Sequence, residues 1–155
     1  FIKVHLAVDA KKGKILSMEV TKDDVHDRRM LIPLVEKASA NAKVTSVIAD
    51  GAYDSREIFS YLDRNGMEPV IKVRKDASVH AFGCVPRKLS SMEQKRDYER
   101  WKTRHGYSRR ARVESAISSF KRTFGEHISS KKWDQMVREL MIKASVYNLF
   151  IGLNP

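Results

Sequence analysis

A single cysteine, Cys84, occurs in 155 residues. One thiol excludes an internal disulfide and cannot by itself build a cysteine-based zinc site. No apolar run approaches the roughly 20 residues that a membrane span requires, and no charged-then-apolar leader pattern opens the stretch. The expected setting is therefore reducing and cytoplasmic, with no membrane partner. Internal repeats and low-complexity tracts are absent too. Acidic residues are in short supply: 19 Asp/Glu stand against 30 Lys/Arg, a net charge of +11.

The placement of that charge matters more than its size. Residues 87–132 hold 14 Lys/Arg and only 5 Asp/Glu, whereas the last 23 residues are neutral. A basic block beside a nearly neutral remainder is the electrostatic footprint of a polyanion-binding protein. Nucleic acid fits better than a membrane surface, because no basic amphipathic helix with a Trp/Phe/Leu face dominates the block. A basic surface serving solubility alone is the plainer alternative. With 42% hydrophobic residues, the length suits one domain with a real core.

Residues 2–8 set Ile2, Val4, Leu6 and Val8 against Lys3 and His5, a strand with one face buried. A turn at residues 9–13 and a second strand over 14–20 complete a hairpin. His5 at mid-strand is given no chemistry. Asp27 is a candidate cap for a helix burying Leu31, Leu34, Val35 and Ala38, and Pro33 restricts where its regular part begins. Residues 44–49 form a short buried strand. Ser55 caps a helix to Arg64 that turns Ile58, Phe59 and Leu62 inward, and residues 68–74 form another strand. A hairpin followed by a strand–helix–strand unit predicts a mixed sheet with helices on its faces. Periodicity fails from about 76 to 106, which reads as an inserted loop or short helices. Tyr98 and Trp101 within it either pack under that segment or offer a platform for a nucleobase. Two more helices are expected, over 107–124 and about 133–150.

The chemistry concentrates in YSRRARVESAISSFK, residues 107–121. Val113, Ala116, Ile117, Phe120 and Phe124 make a core-facing stripe. A second stripe carries Tyr107, Arg110, Glu114 and Lys121, which at about 100° per residue share one side of the helix. A carboxylate flanked by two cations and a phenol suits a metal ion and phosphates. It is equally the make-up of a solvated face with i,i+4 ion pairs, worth a few tenths of a kcal/mol each. Asp50 ends the 44–49 strand, where sites form in open α/β sheets. It is also the first residue of an Asp-Gly turn, and Asp54 is a candidate helix cap. In the functional reading Asp50 and Glu114 meet and hold Mg²⁺ through oxygen, while Arg110 and Lys121 take phosphates.

ADGAYD at 49–54, together with Tyr107, Arg110, Glu114 and Lys121 at their full spacing, resembles the DDE transposases of prokaryotic insertion sequences. KVHLAVD, His26–Asp27 and an Asn148-bearing last helix extend the likeness over nearly the whole chain. The resemblance implies an RNase H-like fold over 1–155, an α/β domain with an antiparallel hairpin plus a parallel βαβ unit. It implies catalytic Asp50 and Glu114 binding Mg²⁺, or Mn²⁺ in its place, and Tyr107, Arg110 and Lys121 holding a DNA end. It also implies double-stranded DNA as partner, a homodimer in a synaptic complex, and cleavage followed by strand transfer. The family's first catalytic Asp lies on a strand ahead of KVHLAVD, and Asp9 at a hairpin turn is a poor substitute. The expectation is thus a partial domain lacking its first strand, unable to cleave DNA alone. The competing readings are another RNase H-like nuclease, such as a resolvase, and a non-catalytic basic DNA-binding module.

Overall fold

In the computed structural model, which describes residues 1–77 and 83–153, the period-two pattern at the start of the chain folds into strands β1 (Ile2–Val8) and β2 (Ile15–Lys22). They pair antiparallel from Ile2↔Lys22 to Val8↔Ile15, with a register shift between Ala7 and Val8. Asp9 is committed to the turn, its Oδ1 accepting the backbone N–H of Lys11 at 2.7 Å and of Lys12 at 3.0 Å.

Alternation along β2 decides what covers each face of the hairpin. Ser17 Oγ donates to the Leu34 carbonyl at 2.7 Å, and Glu19 pairs with Lys37 at 2.5 Å. Both partners belong to α1 (Leu31–Asn41), which buries Leu31, Leu34, Val35 and Ala38 as spaced. Met18 and Val20 point the other way, into a cluster with Phe120, Leu140, Ala144 and Tyr147. These come from α5 (Arg110–Phe124) and α6 (Trp133–Leu153). Asn148 fastens α6 to the hairpin: its Oδ1 accepts from Ile15 N at 2.8 Å and its Nδ2 donates to Ile15 O at 2.7 Å. His5 is buried beside Thr21 Oγ1 at 2.8 Å, and burial pulls its pKa below the ordinary value. Asp27 does not cap α1; it opens a short 3₁₀ turn, Asp27–Met30, that leads into the helix.

The second unit is β3 (Ser46–Ala49), α2 (Arg56–Arg64) and β4 (Glu68–Ile71), the two strands pairing parallel from Ser46↔Glu68 to Ala49↔Ile71. Ser55 Oγ accepts from Ile58 N at 3.2 Å, the expected cap, and Ile58, Phe59 and Leu62 are buried to 1% exposure or less. Among the described residues the hairpin and the parallel pair are separate two-stranded sheets. Helix α1 links them through packing, since it contacts the hairpin on one side and α2 on another. The architecture is mixed α/β with flanking helices, compatible with an RNase H-like fold.

The segment expected to be an insertion holds α3 (Val85–Arg96) and α4 (Tyr98–Arg104), with residues 78–82 of it outside the described part. Asp97 separates the helices and caps the second, its Oδ1 accepting from Arg100 N at 2.9 Å. Helix α3 packs on α2. Helix α4 inserts Trp101, 1% exposed, against Val70 and Tyr107. Among the described residues no helix is long and apolar enough to cross a membrane.

Candidate active site

Parallel pairing puts the carboxyl ends of β3 and β4 side by side, so the residues just beyond the two strands share one edge. Beyond β3 comes Asp50. Its Oδ1 accepts from Ala52 N at 2.9 Å, capping the turn Gly51–Tyr53 and fixing the side chain. Beyond β4 come Lys72, Arg74 and Lys75. The strand was expected to run to residue 74 but ends at Ile71, because side chains take over its backbone groups. Gln94 Oε1 accepts from Val73 N at 3.0 Å, and Gln94 Nε2 donates to Ile71 O at 2.9 Å. Asp54 Oδ2 accepts from Arg74 N at 3.0 Å. Asp54 is therefore no helix cap. Its side chain is fully buried and receives two bonds from Arg87, Nε to Oδ1 at 2.7 Å and Nη2 to Oδ2 at 2.9 Å. The bond to Asp54 raises the Arg87 pKa further above its ordinary value.

The third contribution arrives on α5. Gly106, at φ +65°, turns the chain from α4 into the 3₁₀ turn Tyr107–Arg109. A Cβ there would lie 2.7 Å from Arg109 Nε, and the left-handed backbone disfavours any side chain. Tyr107 is held with its ring 5.1 Å from that of Trp101. Burial pushes its hydroxyl above the ordinary pKa, against the pull of Arg110, so it stays a neutral phenol at physiological pH. Ala116 and Phe120 are buried, Phe120 against the hairpin and α6, which rotates Arg110 and Glu114 toward β3. Arg110 then lies between two carboxylates. Its Nη2 is 2.8 Å from Glu114 Oε1 and its Nη1 is 3.7 Å from Asp50 Oδ2.

These groups line a cleft of about 730 Å³. Lys72, Arg74, Lys75 and Lys102 line it too, so five cations face two carboxylates. A cationic wall of this kind is suited to an anionic polymer, and the two carboxylates among it are hard oxygen donors. Asp50 and Glu114 side chains remain 47% and 57% exposed, open to solutes.

Four of the five residues singled out in the sequence (Asp50, Tyr107, Arg110 and Glu114) therefore meet in one cleft. Lys121 is not among the cleft-lining residues. Seven positions beyond Glu114 it lies about 10 Å further along the helix, exposed and paired with Glu126 at 3.2 Å. Trp101 is core and offers no open face to a base. Tyr98 stacks on it at 5.6 Å and lies at the cleft with Lys72 Nζ 5.5 Å from its ring. Sequence reasoning missed Lys72, Arg74, Lys75 and Lys102. The signal for the first two was present: they alternate with Ile71 and Val73 at the end of a strand parallel to the one that ends in Asp50.

Two carboxylates with room for substrate oxygens fit Mg²⁺, which is commonly held by one or two carboxylates plus phosphates. Among the described residues no group of three or more His, Cys, Asp or Glu forms a complete protein cage. The family model described as the transposase DDE domain matches residues 1–149. No solved structure matches the chain.

Proposed function

Because the chain belongs to the transposase DDE domain family, we propose that its cleft is a site of DNA strand cleavage and transfer at transposon ends. The family generally uses divalent metal ions, and its activity implies DNA binding. In this reading Asp50 and Glu114 are the metal-binding carboxylates, for Mg²⁺ or Mn²⁺. The ion supplies activation of an attacking oxygen and stabilisation of a leaving one. Asp50 is pre-set for its part by the Ala52 N–H, which leaves Oδ2 toward the cleft. Arg110 grips a phosphate through two N–H groups, and the neutral Tyr107 hydroxyl donates beside it. Lys72, Lys75 and Lys102 hold the flanking backbone as point charges. Lys121 contacts phosphates further along α5, outside the cleft.

The observation that carries the reading is the meeting of Asp50, from the end of β3, with Glu114, from α5, on one guanidinium in a cationic cleft. A loose surface ion pair does not require the second carboxylate or the cationic wall.

The test is a metal-dependent cleavage assay on transposon-end DNA with the full-length protein. Asp50→Asn and Glu114→Gln each abolish cleavage and leave DNA affinity close to that of the parent. Lys72→Ala and Lys121→Ala each shallow the dependence of log affinity on log salt by about 0.9. Cleavage by both carboxylate variants at the parental rate would leave only a basic DNA-binding module.

A further inference from the structure

A metal ion ligated by both Asp50 and Glu114 needs oxygen from each at about 2.1 Å. The guanidinium of Arg110 now stands between those oxygens, 2.8 Å from one and 3.7 Å from the other. Both cannot occupy that space, and two cations there would repel each other.

We infer that Arg110 is a placeholder for the metal: it pairs with the two carboxylates in the free protein, offsetting one of their two charges, and leaves them when a divalent cation enters, turning to the DNA phosphate. The inference rests on the metal role proposed for Asp50 and Glu114. Two observations and one chemical argument support it. The bond to Glu114 is an ordinary i,i+4 helix pair, but the contact with Asp50 crosses between elements distant in sequence. Arg110 is 36% exposed and its Cζ lies 5.8 Å from the Tyr107 ring, so the side chain has an open path and a second surface to rest on. An arginine released from two carboxylates is left with no anion until a phosphodiester arrives, and it recognises that group bidentately.

If metal and guanidinium compete for the same oxygens, a phosphate that draws Arg110 away raises metal affinity, and by reciprocity the metal raises phosphate affinity. The site thus loads its cation preferentially when DNA is present.

The test is a Mn²⁺ titration of the DNA-free chain, followed by electron paramagnetic resonance. Removing the placeholder with Arg110→Gln tightens Mn²⁺ binding by roughly two- to fivefold, the change that corresponds to deleting an exposed ion pair. Lys72→Gln is the control for the general field. It removes the same charge from the cleft wall, and Lys72 forms no ion pair among the described residues. Its effect is less than half as large. Equal Mn²⁺ affinity in Arg110→Gln and the parent, or an equal gain in Lys72→Gln, overturns the placeholder role while leaving the metal site standing. The metal site itself is read separately: Mn²⁺ binding that survives Asp50→Asn, or none in any of the proteins, removes the metal assignment and the placeholder with it.

Discussion

Asp50 and Asp54 are four positions apart, each faces an arginine, and they behave oppositely. Asp54 is fully buried, gripped by Arg87 through two bonds of 2.7 and 2.9 Å, and also receives Arg74 N. Asp50 is half exposed and only 3.7 Å from an arginine that it shares with Glu114. The chemical groups are the same. The difference lies in how fully each carboxylate is satisfied. The lower pair, with its carboxylate shut off from solvent and both oxygens bonded, is a structural bolt beneath the cleft. The upper one has spare acceptor capacity facing solvent, which is what a ligand requires.

The sharpest way to break this comparison is at the bolt. Arg87→Ala leaves a buried carboxylate without its cation and is expected to destabilise the protein by about 3–5 kcal/mol, read as a lower urea midpoint. A loss well under 1 kcal/mol would mean that water reaches Asp54. Gln94→Leu tests the other half of the lower support. It strands Val73 N and Ile71 O at about 1–3 kcal/mol per group, and hydrogen exchange at residues 71–73 should rise with it.

A smaller, pH-dependent effect belongs to His105, whose Nδ1 is 2.5 Å from Glu68 and Nε2 2.9 Å from Glu93. Partial burial lowers its pKa, but the bonds to Glu68 and Glu93 outweigh that and raise it above 6.5. A raised pKa means that its stabilisation is complete below the unfolded value and disappears as pH rises through the folded one. The melting-temperature gap between the parent and His105→Gln should therefore narrow from about pH 6 to pH 8. A gap that widens would contradict the assignment. The smallest stability effect is expected at the cleft. Glu114→Gln changes an exposed, incompletely satisfied carboxylate and should shift unfolding by no more than about 0.5 kcal/mol. A shift as large as that of Arg87→Ala would make the two pairs alike and erase the contrast.

Much of this arrangement was readable in the residues. Local patterns, such as the Ser55 cap, the Leu31–Ala38 stripe and the inward face of α2, are set by neighbours three or four positions away and survive into the fold. Asp50, Arg110 and Glu114 were candidates because a strand end and helical spacing are local too, and the resemblance to a known family singled them out from a solvated face. Tyr107 lies not on that helix but in the 3₁₀ turn before it. Gln94 was invisible. A glutamine in a basic helix carries no mark that it will replace the ladder of β4, and its partners are 21 and 23 positions away. A longer separation, 33 positions, concealed the Asp54–Arg87 bolt, and Asp54 looked like a cap because nothing adjacent shows that it is buried.

The chain by itself determined periodicity, caps, the basic block and the carriers of charge, since these depend on bond geometry and nearest neighbours. Tertiary structure alone decided which carboxylate became a bolt and which stayed open. It also put a guanidinium between Asp50 and Glu114. Those outcomes depend on solvent access and on through-space distance, which exist only once the helices have packed.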